Sequence, residues 1–180
     1  PDESVTSPPL LFIWHALGGN AAMFENWFQA KMVADTYDAV VVTPESCCNP
    51  QSEWEPNADS ALFDDMIACL SEKRGIDSRR VYTTGFSAGG LWSTWLTMHR
   101  GHMLAASLIF SGGVAAWMPY QSPGSKLPVV LVDGGPFDVY GGFVNFDVMT
   151  QQLADKLKAD GHLVIHCDHS GGHTIPQGSD

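Results

Sequence analysis

Apolar residues along this chain fall in short continuous runs separated by amphipathic stretches. The runs cover residues 10–16, 39–43 (stopped by Pro44), 80–86, 105–111, 128–133 and 163–167. Continuous apolar runs of this length predict strands buried on both faces. Helical spacing fills the gaps. Residues 20–33 carry Met23, Trp27 and Ala30 on one side. Residues 59–74 place Leu62, Met66, Cys69 and Leu70 on a common face, with Asp59 or Ser60 as the cap. Residues 88–99 form an unusually apolar helix. Residues 146–160 repeat Phe146, Met149, Leu153 and Leu157, and Gly161 supplies a left-handed stop. Residues 46–58, rich in Pro, Asn and Ser, read as a loop.

Strands alternating with helices predict an α/β fold: a mostly parallel sheet of about six strands with helices on both faces and right-handed crossovers. No repeat or linker divides the chain, so a single domain spanning residues 1–180 is expected. In such sheets functional groups gather at the carboxyl ends of the strands. The search for chemistry therefore belongs where each strand stops.

Gly85-Phe86-Ser87-Ala88-Gly89 sits between the strand ending at Phe86 and the helix from Ala88. This is G-x-S-x-G in a strand–turn–helix setting, the context in which that pentapeptide marks a nucleophilic serine. The turn forces Ser87 into a strained backbone and lifts its hydroxyl clear of the sheet. The Ala88 N–H, at a helix start, faces the place where an oxyanion would develop. Leu17, in the Gly18-Gly19 loop after the first strand, is the expected second donor.

A serine hydroxyl needs a base, and the expected chain order is Ser, then acid, then His. His99 and His102 lie at the far end of the elbow helix, and His162 and His166 flank or enter the last strand. His169 and His173 remain, in the loop after that strand, and His173 is favoured because Gly171-Gly172 let it approach. Asp138, after the Gly134-Gly135-Pro136-Phe137 turn, is the favoured acid, with Asp133 as the alternative. The acid would fix the imidazole tautomer and stabilise its charged form. His15 is expected to brace its loop by hydrogen bonds.

Composition narrows the partners. Nine basic and 20 acidic residues give a formal net charge of -11, which disfavours nucleic acid and anionic membranes. No apolar stretch reaches the ~18 residues a membrane span needs. Cys47, Cys48, Cys69 and Cys167 include no C-x-x-C pair, so no metal site is expected. A bridge from the Cys47/Cys48 pair to Cys69 and four unpaired thiols are both open, and a bridge would imply a secreted or periplasmic protein. The chain starts at Pro1 rather than Met and ends seven residues after His173, so trimming at both ends is expected.

The segments HALGGNA (residues 15–21), GFSAGG (85–90), GGPFD (134–138) and GGHTIP (171–176) resemble an esterase family of the α/β-hydrolase fold. That family includes polyhydroxyalkanoate depolymerases, feruloyl esterases and acetyl xylan esterases. Ile76, Asp77, Arg80, Val81 and Tyr82 resemble its lead-in to the serine turn. Ala16 stands where the family usually has glycine, and Asp133 where many members have histidine. The resemblance implies Ser87 as nucleophile, Asp138 as acid, His173 as base, Leu17 and Ala88 as oxyanion donors, and no cofactor. It also implies the strand order 4-3-5-6-7-8 in that fold's usual naming.

The resulting expectation is a serine esterase acting through an acyl-enzyme on a small-molecule or polymeric ester. An acyltransferase and a non-catalytic binding protein are the alternatives. The segment 111–128 is too short for a large lid domain, so the site is expected to be shallow and open. Trp117 is the favoured substrate contact, whereas Trp92 and Trp95 are expected in the core. A missing final helix would leave one sheet face bare.

Overall fold

The computed structural model describes residues 6–46 and 54–176. Strand β1 (Leu10–Trp14) leads to α1 (Ala21–Trp27) and α2 (Ala30–Tyr37), then β2 (Val40–Val42). Helix α3 (Pro56–Arg74), β3 (Val81–Phe86), α4 (Ala88–Arg100), β4 (Ala106–Phe110) and β5 (Val129–Asp133) follow. A two-stranded hairpin, β6 (Val139–Tyr140) and β7 (Val144–Asn145), precedes α5 (Phe146–Ala159) and the last strand, β8 (Val164–Asp168).

The main sheet runs β2-β1-β3-β4-β5-β8, and every pair in it is parallel. This is the order expected from the resemblance. One face of the sheet carries Phe12, Trp14, Ile109 and Leu131, packed against Phe63 and Ile67 of α3, Leu96 of α4 and Leu153 of α5. The opposite face carries Ile13 and Phe86, covered by Phe24 and Ala30 of the α1–α2 pair. Helices therefore lie on both faces. Over β4 and β8 the second face is open: Leu108 is 36% and Ile165 52% exposed.

Three helices differ from the sequence pattern. The stretch 20–33 is two helices, because Gln29 takes a left-handed conformation with φ 49° and breaks the ladder. Phe24, not Met23 or Trp27, is its buried anchor. Helix α3 starts at Pro56, before Asp59. Proline suits a first turn, where its missing N–H costs nothing, and the Asp59 carboxylate instead accepts from the Glu55 N–H at 2.6 Å. The face α3 buries is Phe63 and Ile67, flanked by Met66 and Leu70, while Cys69 is exposed. The bridge considered for Cys69 involves Cys47 and Cys48, which lie outside the described residues. At the other end of the chain, Gly161 (φ 80°) follows α5 as the pattern predicts.

Candidate active site

Residues at the carboxyl ends of β1, β3, β4, β5 and β8 converge at one point of the sheet. Ser87 follows β3 with φ 57° and ψ -117°, a backbone that L-residues seldom adopt. The turn is possible because the start of α4 nearly touches β1. A Cβ added at Gly89 would lie 2.0 Å from the Trp14 carbonyl oxygen. Strain at Ser87 is thus imposed by a close backbone approach that only glycine permits.

His173 reaches Ser87 from the loop after β8. Its Nε2 lies 2.9 Å from Ser87 Oγ and its Nδ1 lies 2.6 Å from Asp138 Oδ1. The carboxylate accepts at Nδ1, so Nδ1 carries the proton and Nε2 is left to accept from the serine hydroxyl. The imidazole stacks on Phe146, with centroids 4.7 Å apart and planes 12° apart, and Phe86 tilts against it at 4.7 Å. Those rings fix its plane.

Asp138 is fully buried. Its Oδ2 accepts from Ser111 Oγ and from the Gly134 N–H, both at 2.8 Å. Burial alone would raise the carboxyl pKa. The bonds from His173, Gly134 and Ser111 outweigh it and hold the group below the usual carboxylate range. The turn that presents Asp138 also locks onto the histidine loop: Gly172 N–H donates to the Gly134 carbonyl at 3.0 Å.

Asp133 and His169 do something else. Asp133 is also fully buried, but its carboxylate pairs with His166 Nε2 and accepts from the Gly135 N–H at 2.9 Å. His169 donates its N–H to the Asp133 carbonyl at 3.0 Å and accepts at Nδ1 from the Gly171 N–H at 3.1 Å. Both tie the acid turn to the histidine loop and make no contact with Ser87.

The candidate oxyanion donors flank the serine. Ala88 opens α4, where first-turn N–H groups have no intrahelical partner. Leu17 is the second residue of a turn closed by Gly19 N–H to the Ala16 carbonyl at 2.9 Å, with Gly18 at φ 70°. His15, fully buried, steadies this loop. Its Nε2 accepts from the Ser46 N–H at 3.3 Å, leaving Nδ1 to donate to the Ala16 carbonyl at 3.0 Å.

Ser87, Ala88 and Leu17 border a cleft of about 840 Å³. Its floor is α4, through Leu91, Trp92, Trp95 and His99. One wall is Trp54, two residues before α3, and the other comprises Trp117–Gln121 and the β6–β7 hairpin. Trp117 is 62% exposed and also borders a second, apolar pocket of about 550 Å³.

Trp92 is buried in the core as expected and Trp95 is partly buried against it, and both also line the cleft, because α4 presents that side to the opening. Among the described residues no large lid domain stands over the site, and aromatic side chains line the cleft. Sequence reasoning missed Ser111, Trp54 and Phe146. Trp54 donates its Nε1–H to the His15 carbonyl at 2.8 Å, joining the groove wall to the β1 loop. Only Phe146 left a trace in the sequence, as an apolar position of α5.

No family model matches the chain. Among proteins of known name, it is 29% identical over 164 residues to feruloyl esterase B of Thermothelomyces thermophilus, covering 79% of this chain and 56% of that one. It is 26% identical over 129 residues to feruloyl esterase B of Talaromyces funiculosus, covering 67% and 35%. A bifunctional acetylxylan esterase/xylanase of Neocallimastix patriciarum is 25% identical over 175 residues, or 93% of this chain and 23% of that one. The chain thus spans about half, or less, of the length of these relatives. Among solved structures, esterase PE8 superposes with a TM-score of 0.73 at 23% identity, covering 98% of this chain and 90% of that one. Native pOPH superposes with a TM-score of 0.74 at 20% identity, covering 98% and 76%. The strand order, the serine turn and these likenesses together give the chain the α/β-hydrolase fold, and its sequence is similar to those of feruloyl and acetylxylan esterases.

Proposed function

We propose that the chain is a serine esterase that cleaves carboxylic esters through an acyl-enzyme. The observation that carries this reading is the continuous relay from Ser87 Oγ through His173 to Asp138, at 2.9 and 2.6 Å. In the proposed mechanism His173 Nε2 takes the hydroxyl proton as Ser87 attacks the ester carbonyl. The Ala88 and Leu17 N–H groups hold the oxyanion. The alcohol leaves with the proton from His173, and water, activated by the same nitrogen, releases the acid and restores Ser87. The Asp138 carboxylate keeps the proton on Nδ1 and stabilises the imidazolium.

The aromatic lining supports esters with flat or bulky apolar portions, and the likeness to proteins named feruloyl esterases points the same way. We place Trp117 among the substrate contacts, because it is exposed beside the serine cleft. The test is covalent. A fluorophosphonate should add to the intact protein once, with the mass increment on the peptide bearing Ser87. Labelling elsewhere, or none, would contradict the reading.

A further inference from the structure

We propose that Asp133 and His166 are positioning residues for ester cleavage: their pair clamps the turn that aims Asp138 at His173. The proposal rests on the esterase reading and adds to it.

Two Asp–His pairs stand side by side between the same two segments. Asp133 and Asp138 open and close the turn after β5, while His166 lies on β8 and His173 in the loop that follows it. Between the pairs, the His169 N–H donates to the Asp133 carbonyl and the Gly172 N–H to the Gly134 carbonyl, both at 3.0 Å. The acid turn and the histidine loop are thus joined from the Asp133–His166 pair at one end to the Asp138–His173 pair at the other.

Asp133 acts beside the peptide that holds the acid. Its Oδ1 accepts from the Gly135 N–H at 2.9 Å, and its Oδ2 accepts from His166 Nε2. The Gly134 N–H, one residue back, donates to Asp138 Oδ2 at 2.8 Å. Both peptide units that flank Gly134 are therefore bonded at each end. The turn has little slack, because Gly135 is left-handed (φ 71°) and a Cβ there would lie 2.7 Å from Asp168 Oδ1.

Neither Asp133 nor His166 borders the cleft or bonds to Ser87, so neither is placed to meet substrate. Their influence is on geometry. His173 must keep Nε2 against Ser87 Oγ while Nδ1 stays on Asp138, and a displacement of about 1 Å in such an array costs on the order of 100-fold in rate. Asp133 is fully buried. A buried charged pair is a weak source of stability, since apolar side chains of that size hold a fold together as well. At the root of the acid turn, its directional bonds fix an angle that apolar packing leaves free.

The test compares the full chain with His166→Leu, which removes the donor to Asp133, and with His166→Gln, which keeps one. Values of kcat and KM for a p-nitrophenyl ester are normalised to the sites that a fluorophosphonate titrates, so that unfolded protein does not count. The His173 Nδ1 proton is followed by NMR. In His166→Leu, kcat should fall roughly 10- to 100-fold with KM unchanged, and the Nδ1 proton signal should move. His166→Gln should recover most of both. Should His166→Leu not fold, Asp133→Asn is read in the same way, since it still accepts from the Gly135 N–H and loses only the charge facing His166. Parental kcat per titrated site with an unmoved Nδ1 signal, and only the melting temperature lowered, would overturn the inference. A loss that His166→Gln does not restore would overturn it too. Failure of the esterase reading would show separately, as unchanged ester hydrolysis by Ser87→Ala.

Discussion

Ser111 Oγ donates to Asp138 Oδ2 at 2.8 Å, so the carboxylate that meets His173 is held from behind by a residue at the end of a neighbouring strand. Ser111 itself sits at φ 45°, a left-handed backbone that turns the chain out of β4 and aims its hydroxyl at the acid. The geometry joins β4 and β5 at the point where both deliver a residue to the site.

That bond sets a pH dependence. The folded-state pKa of Asp138 is depressed, so its ionisation contributes stability at neutral pH that is lost as pH falls through the folded value, below about pH 4. Ser111→Ala removes one donor to the charged form and should cost about 1.5–3 kcal/mol at pH 7. The gap to the parent should shrink as the carboxyl protonates in both. Urea unfolding at pH 7 and at pH 3 checks this. A gap that widens in acid would contradict the assigned direction.

The two buried aspartates should separate by phenotype. Asp138→Asn should lower kcat by roughly 10⁴-fold through loss of the correct tautomer. Asp133→Ala removes the acceptor that holds His166 and the Gly135 N–H and should cost about 1.5–3 kcal/mol in stability. The folded fraction of Asp133→Ala should still take a fluorophosphonate at Ser87. Kinetics and thermal melts on both variants decide it, and the reverse pattern would make Asp133 the acid.

Gly89→Ala tests the origin of the strained turn. The new Cβ would fall 2.0 Å from the Trp14 carbonyl oxygen, and backbone on both sides must move. A loss above about 4 kcal/mol is expected, in the range of severe steric lesions. Gly75→Ala, whose Cβ meets nothing within 4 Å, should show only the roughly 1 kcal/mol penalty of its positive φ. Similar melting temperatures for the two would refute the close-approach account.

The parts of this fold visible in the sequence are those fixed by local pattern. Six strands announced themselves as apolar runs, although β2 and β8 at the sheet edges are not buried, and Phe146, Met149, Leu153 and Leu157 marked the buried side of α5. The parts that escaped depend on distant neighbours. The β6–β7 hairpin has two residues per strand, too few for any period to register. Gln29 breaks a helix whose apolar spacing runs straight through it. Ser111 is an ordinary strand-end residue until the turn after β5 brings Asp138 against it. His99 was assigned to a helix end, which is correct, and it also lines the cleft, whose opposite wall includes the Trp117–Gln121 segment and the hairpin. Ser87, Asp138 and His173 were legible because glycines and strand ends bracket each of them.

The most direct measurement is hydrolysis of p-nitrophenyl esters of graded acyl length by this chain and by Ser87→Ala in parallel. The account predicts turnover in the parent and its fall to the uncatalysed background in the variant. Equal rates in both would contradict the assignment of Ser87 as the nucleophile.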